Sequence, residues 1–181
     1  MASAEDNRDG GGNTAGDEWS KCIQRAEKCK AEGNGAFSEK KYEEAEKIYG
    51  YGIALLALLD KEELHHSLPR SAEEIEIEKT HVGSRDAAQE LRATLRSNRA
   101  MALLRLGKGK ECVSECDLAL QDKPHCGKAL YRRAKGHVLE KRFDRAAVDL
   151  QTALQRDPTN KVWSTLCFLR NLELQDGEVY L

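Results

Sequence analysis

A 34-residue period constrains this chain more than any other feature of its sequence. Pro124 and Pro158 lie one period apart, as do Ala119 and Ala153, Leu120 and Leu154, Cys112 and Ala146, Cys116 and Leu150, and Leu104 and Val138. Each pair matches in character, small with small or apolar with apolar, in a single register. A repeat of this length holds one supersecondary unit that cannot bury its apolar face alone, so neighbouring units must stack. The apolar spacing is helical rather than alternating. Three prolines in 181 residues leave room for long helices.

Walked backward, the register places Gly33, Tyr42, Ala45 and Tyr49 in the small and aromatic slots of an earlier unit. A further unit hidden between the two does not fit, because its small slots would fall on Lys79 and Asp86. The polar stretch 60–84 instead reads as an insertion that lengthens the neighbouring helices around a flexible loop. The expected order is helix 18–38, helix 42–64, helix 85–106 with Ser84 as N-cap, helix 109–121, helix 125–140 and helix 143–156. Pro124 and Pro158 mark the ends of two second helices. Apolar residues at Val162, Trp163, Leu166, Leu169 and Leu172 predict a capping helix over about 160–175, which would cover the last exposed face of the stack. Residues 1–17, rich in glycine and acid, bury too little to offset their ordering entropy and are expected to be disordered. Residues 177–181 form a short C-terminal tail.

Composition narrows the function. The formal net charge is −2, which argues against a dedicated nucleic-acid binder. Five acids and one base fall in the first eighteen residues, and three acids and no base follow Leu172. The segment 19–171 is therefore mildly basic, about +5, and suited to acidic partners. No apolar run reaches the ~18–20 residues of a membrane span, and the acidic N-terminus resembles neither a secretory signal nor a transit peptide. A cytoplasmic, monomeric protein with six reduced cysteines is expected. Cys112 and Cys116 with His125 and Cys126 could suggest zinc, but both cysteines fill slots held by Ala146 and Leu150 one period later. They are expected to be core packing. His65 and His66 read as solvated, and Trp19 and Trp163 as packing anchors at the two ends. No catalytic glycine loop, nucleophile elbow or His-Glu-x-x-His motif is present. No enzyme activity, cofactor or metal is expected.

The period of 34 is that of the tetratricopeptide repeat. The segments Lys30–Asn34 with Phe37, Ser97–Met101 and Lys128–Arg132 resemble the three first helices of the carboxylate-clamp tetratricopeptide domains of Hsp90 and Hsp70 co-chaperones, over residues 18–176. The resemblance implies an all-α fold: three repeats in a right-handed solenoid, with a C-terminal capping helix and a long insertion between repeats 1 and 2. The repeats would span about 18–64, 85–121 and 125–156. It further implies that Lys30, Asn34 and Asn98 hold the terminal carboxylate of an acidic Glu-Glu-Val-Asp-type tail. Lys128 and Arg132 would reach the last side-chain carboxylate, and Phe37 and Met101 would line a shallow apolar pocket. Arg105, one turn beyond Met101, departs from the family pattern, and a cation there would favour an acidic residue upstream in the tail. The physical logic agrees: residues four apart share a helix face, and cations neutralise a carboxylate while amides donate to it. The expected role is a non-enzymatic adaptor docking on Hsp90 or Hsp70 tails, with micromolar affinity, about −8 kcal/mol. The alternative is a scaffold of the same fold that binds an internal peptide or a folded partner independently of chaperones.

Overall fold

The computed structural model describes residues 14–62 and 72–158, with side chains over 19–59 and 85–158. Six helices follow one another: α1 (Thr14–Ser38), α2 (Tyr42–Glu62), α3 (Ala72–Arg105), α4 (Gly109–Asp122), α5 (Gly127–Leu139) and α6 (Phe143–Arg156). No strand occurs among the described residues. Sequential helices pack against each other, and α3 also touches both α1 and α5. The first helices of the three pairs thus form one continuous layer, α1–α3–α5. Stacked helix pairs of this kind present such a layer as an extended binding surface.

The repeat is visible in the packing. Cys112 and Ala146, Cys116 and Leu150, and Ala119 and Ala153 are all buried, while Leu104 and Val138 are both half-buried. Cys112 and Cys116 sit in a core cluster with Ala100 and Leu103, as their repeat slots require. Burial and the adjacent Cys112 push the Cys116 thiol far up, with hydrogen bonding to Cys112 the larger cause. It therefore behaves as a small apolar residue. Trp19 anchors the first cluster, with Tyr49, Leu56, Leu91 and Leu95. Fully burying a side chain of Leu size stabilises by about 1.5–3 kcal/mol.

The turns inside the pairs repeat as well. Lys40 (φ 63°), Gly107 (φ 71°) and Lys141 (φ 57°) are left-handed, one at each junction of first and second helix. The N–H of the next residue closes the turn each time: Lys41 to the Ala36 carbonyl at 2.9 Å, Lys108 to Leu103 at 2.9 Å, and Arg142 to His137 at 2.8 Å. This six-to-one bond satisfies a carbonyl left over at the helix end. Glycine suits that position because it has no Cβ; lysine occupies it twice here at a cost.

Ion pairs fasten the stack at the same interval. Arg99 on α3 donates to Glu46 on α2 (Nε–Oε1 2.8 Å) and Glu115 on α4 (Nη1–Oε1 2.7 Å). Arg133 on α5, one period later, donates to Asp117 on α4 (2.7 Å) and to Asp149 on α6 (2.9 and 2.5 Å). Glu115 and Asp149 are themselves one period apart. Each arginine clips its own second helix to the one before it. Arg92 and Arg96 share Asp122 at the end of α4, at 2.9 and 2.8 Å.

Several bounds differ from expectation. Helix α1 begins at Thr14, inside the stretch expected as tail. Helix α3 begins at Ala72, thirteen residues before the expected 85, so Ser84 lies inside the helix rather than at its N-cap position. The polarity of 72–84 suggested a loop, but its Ala, Glu and Lys residues favour helix and no proline interrupts it. The expected tail over 1–13, the stretch 63–71 with His65, His66 and Pro69, and the expected capping helix with Trp163 lie outside the described residues.

Candidate functional site

Three of the sequence-selected residues meet where α1, α3 and α5 adjoin. Arg132 on α5 donates from Nη1 to Asn98 Oδ1 on α3 at 3.3 Å, and also to the Ser97 hydroxyl. Asn98 Nδ2 donates to Asn34 Oδ1 on α1 at 3.2 Å. The Tyr49 hydroxyl on α2 donates to the same Asn34 oxygen at 2.7 Å. One hydrogen-bond chain thus crosses all three first helices. Lys30 stands one turn before Asn34 and is paired with Glu27. Lys128 stands one turn before Arg132, exposed, with no ion pair among the described residues.

Local packing explains the placement. Gly33 lies against the Tyr49 ring; a Cβ there would stand 2.5 Å from Tyr49 Cε1. The absent side chain lets α2 approach until the Tyr49 hydroxyl reaches Asn34. Ser97 is buried at the α3–α5 contact, where its hydroxyl meets Arg132. Tyr49 and Ser97 were not among the candidate site residues. The aromatic slot of a repeat accepts Phe or Tyr equally for packing, and only the hydroxyl distinguishes them.

The electrostatics set Arg132 apart from its neighbours. Arg92, Arg96, Arg99 and Arg133 all face carboxylates within the fold. The hydrogen bonds of Arg132 go to the uncharged Ser97 and Asn98. Burial lowers its pKa from the ordinary arginine value, yet a guanidinium remains cationic in a folded protein. The Tyr49 hydroxyl is protonated at neutral pH like any tyrosine, and burial raises its pKa further. A half-buried cation with neutral partners, beside two amides and two flanking ammonium groups, can attract and hydrogen-bond carboxylates.

The remaining predicted residues are placed less centrally. Phe37 packs against the first core cluster and tilts against Tyr42, ring centroids 5.2 Å apart; packing accounts for it. Met101 is half-buried on α3, and Arg105 is exposed in the last turn of that helix. Among the described residues, no cluster of three or more His, Cys, Asp or Glu could hold a metal ion. No described helix is long and apolar enough to cross a membrane.

Comparison with known proteins follows the same lines. No family model matches the chain. It is 30% identical over 131 residues to the human mitochondrial import receptor subunit TOM34, covering 72% of this chain and 34% of that protein. It is 45% identical over 72 residues to sperm-associated antigen 1A of Danio rerio, covering 40% of this chain and 17% of that protein. The chain spans about a third of the length of the curated TOM34 relatives. Among solved structures, the second tetratricopeptide domain of human RPAP3 in complex with an HSP70 peptide superposes with a TM-score of 0.60 at 26% identity, covering 83% of this chain and 98% of that one. The second such domain of Spaghetti, bound to an HSP90 peptide, gives 0.54 at 28% identity, covering 76% and 96%. The six-helix stack, its 34-residue period and these neighbours together give the chain the fold of a three-repeat tetratricopeptide domain.

Proposed function

We propose that this chain is a non-enzymatic, cytoplasmic adaptor that docks on the acidic C-terminal tail of Hsp90 or Hsp70 by holding two carboxylates. The observation that carries the reading is the chain Arg132–Asn98–Asn34 across α5, α3 and α1, with Lys30 and Lys128 one turn away. A peptide ending in Asp offers a backbone and a side-chain carboxylate a few ångströms apart. In this reading Lys30, Asn34 and Asn98 receive the first, and Lys128 and Arg132 the second. The solved neighbours whose complexes contain HSP70 and HSP90 peptides support the same chemistry.

The test is calorimetric titration with two chaperone-tail peptides ending in Glu-Glu-Val-Asp, one Hsp90-like and one Hsp70-like, together with their C-terminal amides. Micromolar binding of the free acids, weakened by salt as charge pairing requires, is expected. It should be lost in the amides and in the Lys128→Ala, Arg132→Ala double variant. Binding that ignores amidation would sink the proposal, because only a carboxylate clamp requires the free end.

A further inference from the structure

The hydrogen bonds at the site have a direction that follows from chemistry. Arg132 is donor-only, so the Asn98 atom facing it must be the oxygen. The Asn98 nitrogen then faces Asn34, and the Asn34 atom it meets must also be an oxygen. That oxygen takes a second bond from the Tyr49 hydroxyl at 2.7 Å. Each amide orientation is dictated by the one before it. Asn34 ends with its oxygen committed twice and its NH2 uncommitted among the described residues.

We infer that Tyr49 is a positioning residue for ligand recognition: with Asn98 it locks the Asn34 amide so that only its NH2 is offered to a bound peptide end. The offered face is a pure donor, so the site selects a free carboxylate and rejects groups that must themselves donate. The inference rests on the docking reading above and adds to it the origin of the selectivity. Tyr49 lies only 2% exposed beneath Gly33, so it acts through Asn34 rather than by touching ligand. A tyrosine hydroxyl is protonated at neutral pH in any case, and burial pushes its pKa further up, so the lock holds there.

Tyr49→Phe removes one oxygen and leaves the ring in contact with Gly33, so the fold is expected to persist. The experiment measures Kd for a Glu-Glu-Val-Asp peptide as free acid and as C-terminal amide, using the full chain. In Tyr49→Phe the free acid should bind about fivefold more weakly, the scale of one neutral hydrogen bond, while the amide changes little. In an Asn34→Ala background the same substitution should be silent, since a coupling of this kind vanishes with its partner. Asn34→Asp gives a second reading: it keeps both accepted bonds but replaces the offered NH2 by oxygen. Its preference for free acid over amide should fall at least tenfold. An unchanged Kd in Tyr49→Phe, or an equal loss with and without Asn34, would overturn the inference and leave the docking reading standing. Failure of the wild-type chain to bind the free acid would overturn both.

Discussion

Glu27 occupies Lys30 in the structure, and this single contact predicts how the free site compares with the bound one. On the docking reading a ligand carboxylate must share or displace it, and Glu27 also adds a like charge near the incoming tail. Glu27→Ala should tighten peptide binding about two- to threefold, within the range of an exposed ion pair, measured by the same titration at low salt. A weaker complex would mean that Glu27 orients Lys30 rather than competing for it. His137 carries a different consequence. It is buried on α5 with Nε2 3.9 Å from Asp149 Oδ2, and its Nδ1 has no hydrogen-bond partner among the described residues. Burial lowers its pKa below the ordinary 6.5. The unfolded chain therefore binds a proton that the folded chain resists, so stability is full above pH 6.5 and falls as the pH drops below it. The slope should approach 1.4 kcal/mol per pH unit at most. Urea unfolding at pH 7.5 and 5.5 should show that loss in the wild type and a smaller one in His137→Leu. Equal pH dependence in the two would place the titrating group elsewhere.

At the scale of elements, the pair turns and the arginine clips follow the repeat closely enough to predict energies. Lys40 and Lys141 bear a Cβ in the left-handed region, where glycine is unstrained. Lys40→Gly and Lys141→Gly should each stabilise by about 0.5–1 kcal/mol, whereas Gly107→Ala should destabilise by a similar amount, all read as shifts in urea midpoint. The clip at Arg133 is larger. Its partner Asp149 is 3% exposed, so Arg133→Ala leaves a buried carboxylate without its cation and should cost about 3–5 kcal/mol. The double change Arg133→Met, Asp149→Leu should recover most of that loss, since no buried charge is left stranded and Asp117 is half-exposed to solvent. If the single and double variants unfold alike, the clip contributes packing rather than charge.

Across the whole molecule, the period, the helix order and the placement of Lys30, Asn34, Asn98, Lys128 and Arg132 on three adjacent helices were legible from sequence. Those features depend on spacing along one helix and on a repeat of fixed length. The Tyr49 hydroxyl bond was not, because it depends on how closely α2 approaches α1 at Gly33. The clips were half legible: Arg99 and Arg133, like Glu115 and Asp149, stand one period apart, but matching apolar residues alone passes over charged ones. The true start of α3 was hidden because polarity was read as loop where helix propensity was the stronger signal. The stack also predicts a gradient of stability. Helix α3 contacts α1, α2, α4 and α5, more neighbours than a terminal pair can have, and local opening is hardest where contacts are densest. Amide hydrogen exchange should be slowest over residues 91–103; slower exchange in α1 and α2 would show that the first pair is the more stable unit.

The recurring clip has a consequence for modularity. Residues 108–141 span one whole period between two equivalent left-handed turns, Gly107 and Lys141. Excising them joins Gly107 to Arg142 and brings Arg99 into register with Asp149 in place of Glu115, so a carboxylate still receives the guanidinium. The turn survives and so does the grammar of first and second helix, but Asp122 leaves with the cassette bearing Lys128 and Arg132, and Arg156 takes its register opposite Arg92 and Arg96. Such a shortened chain would be a scaffold one unit smaller, with the Arg99 seam re-closed, the Asp122 seam undone, and without the two cations that the docking reading gives to the side-chain carboxylate.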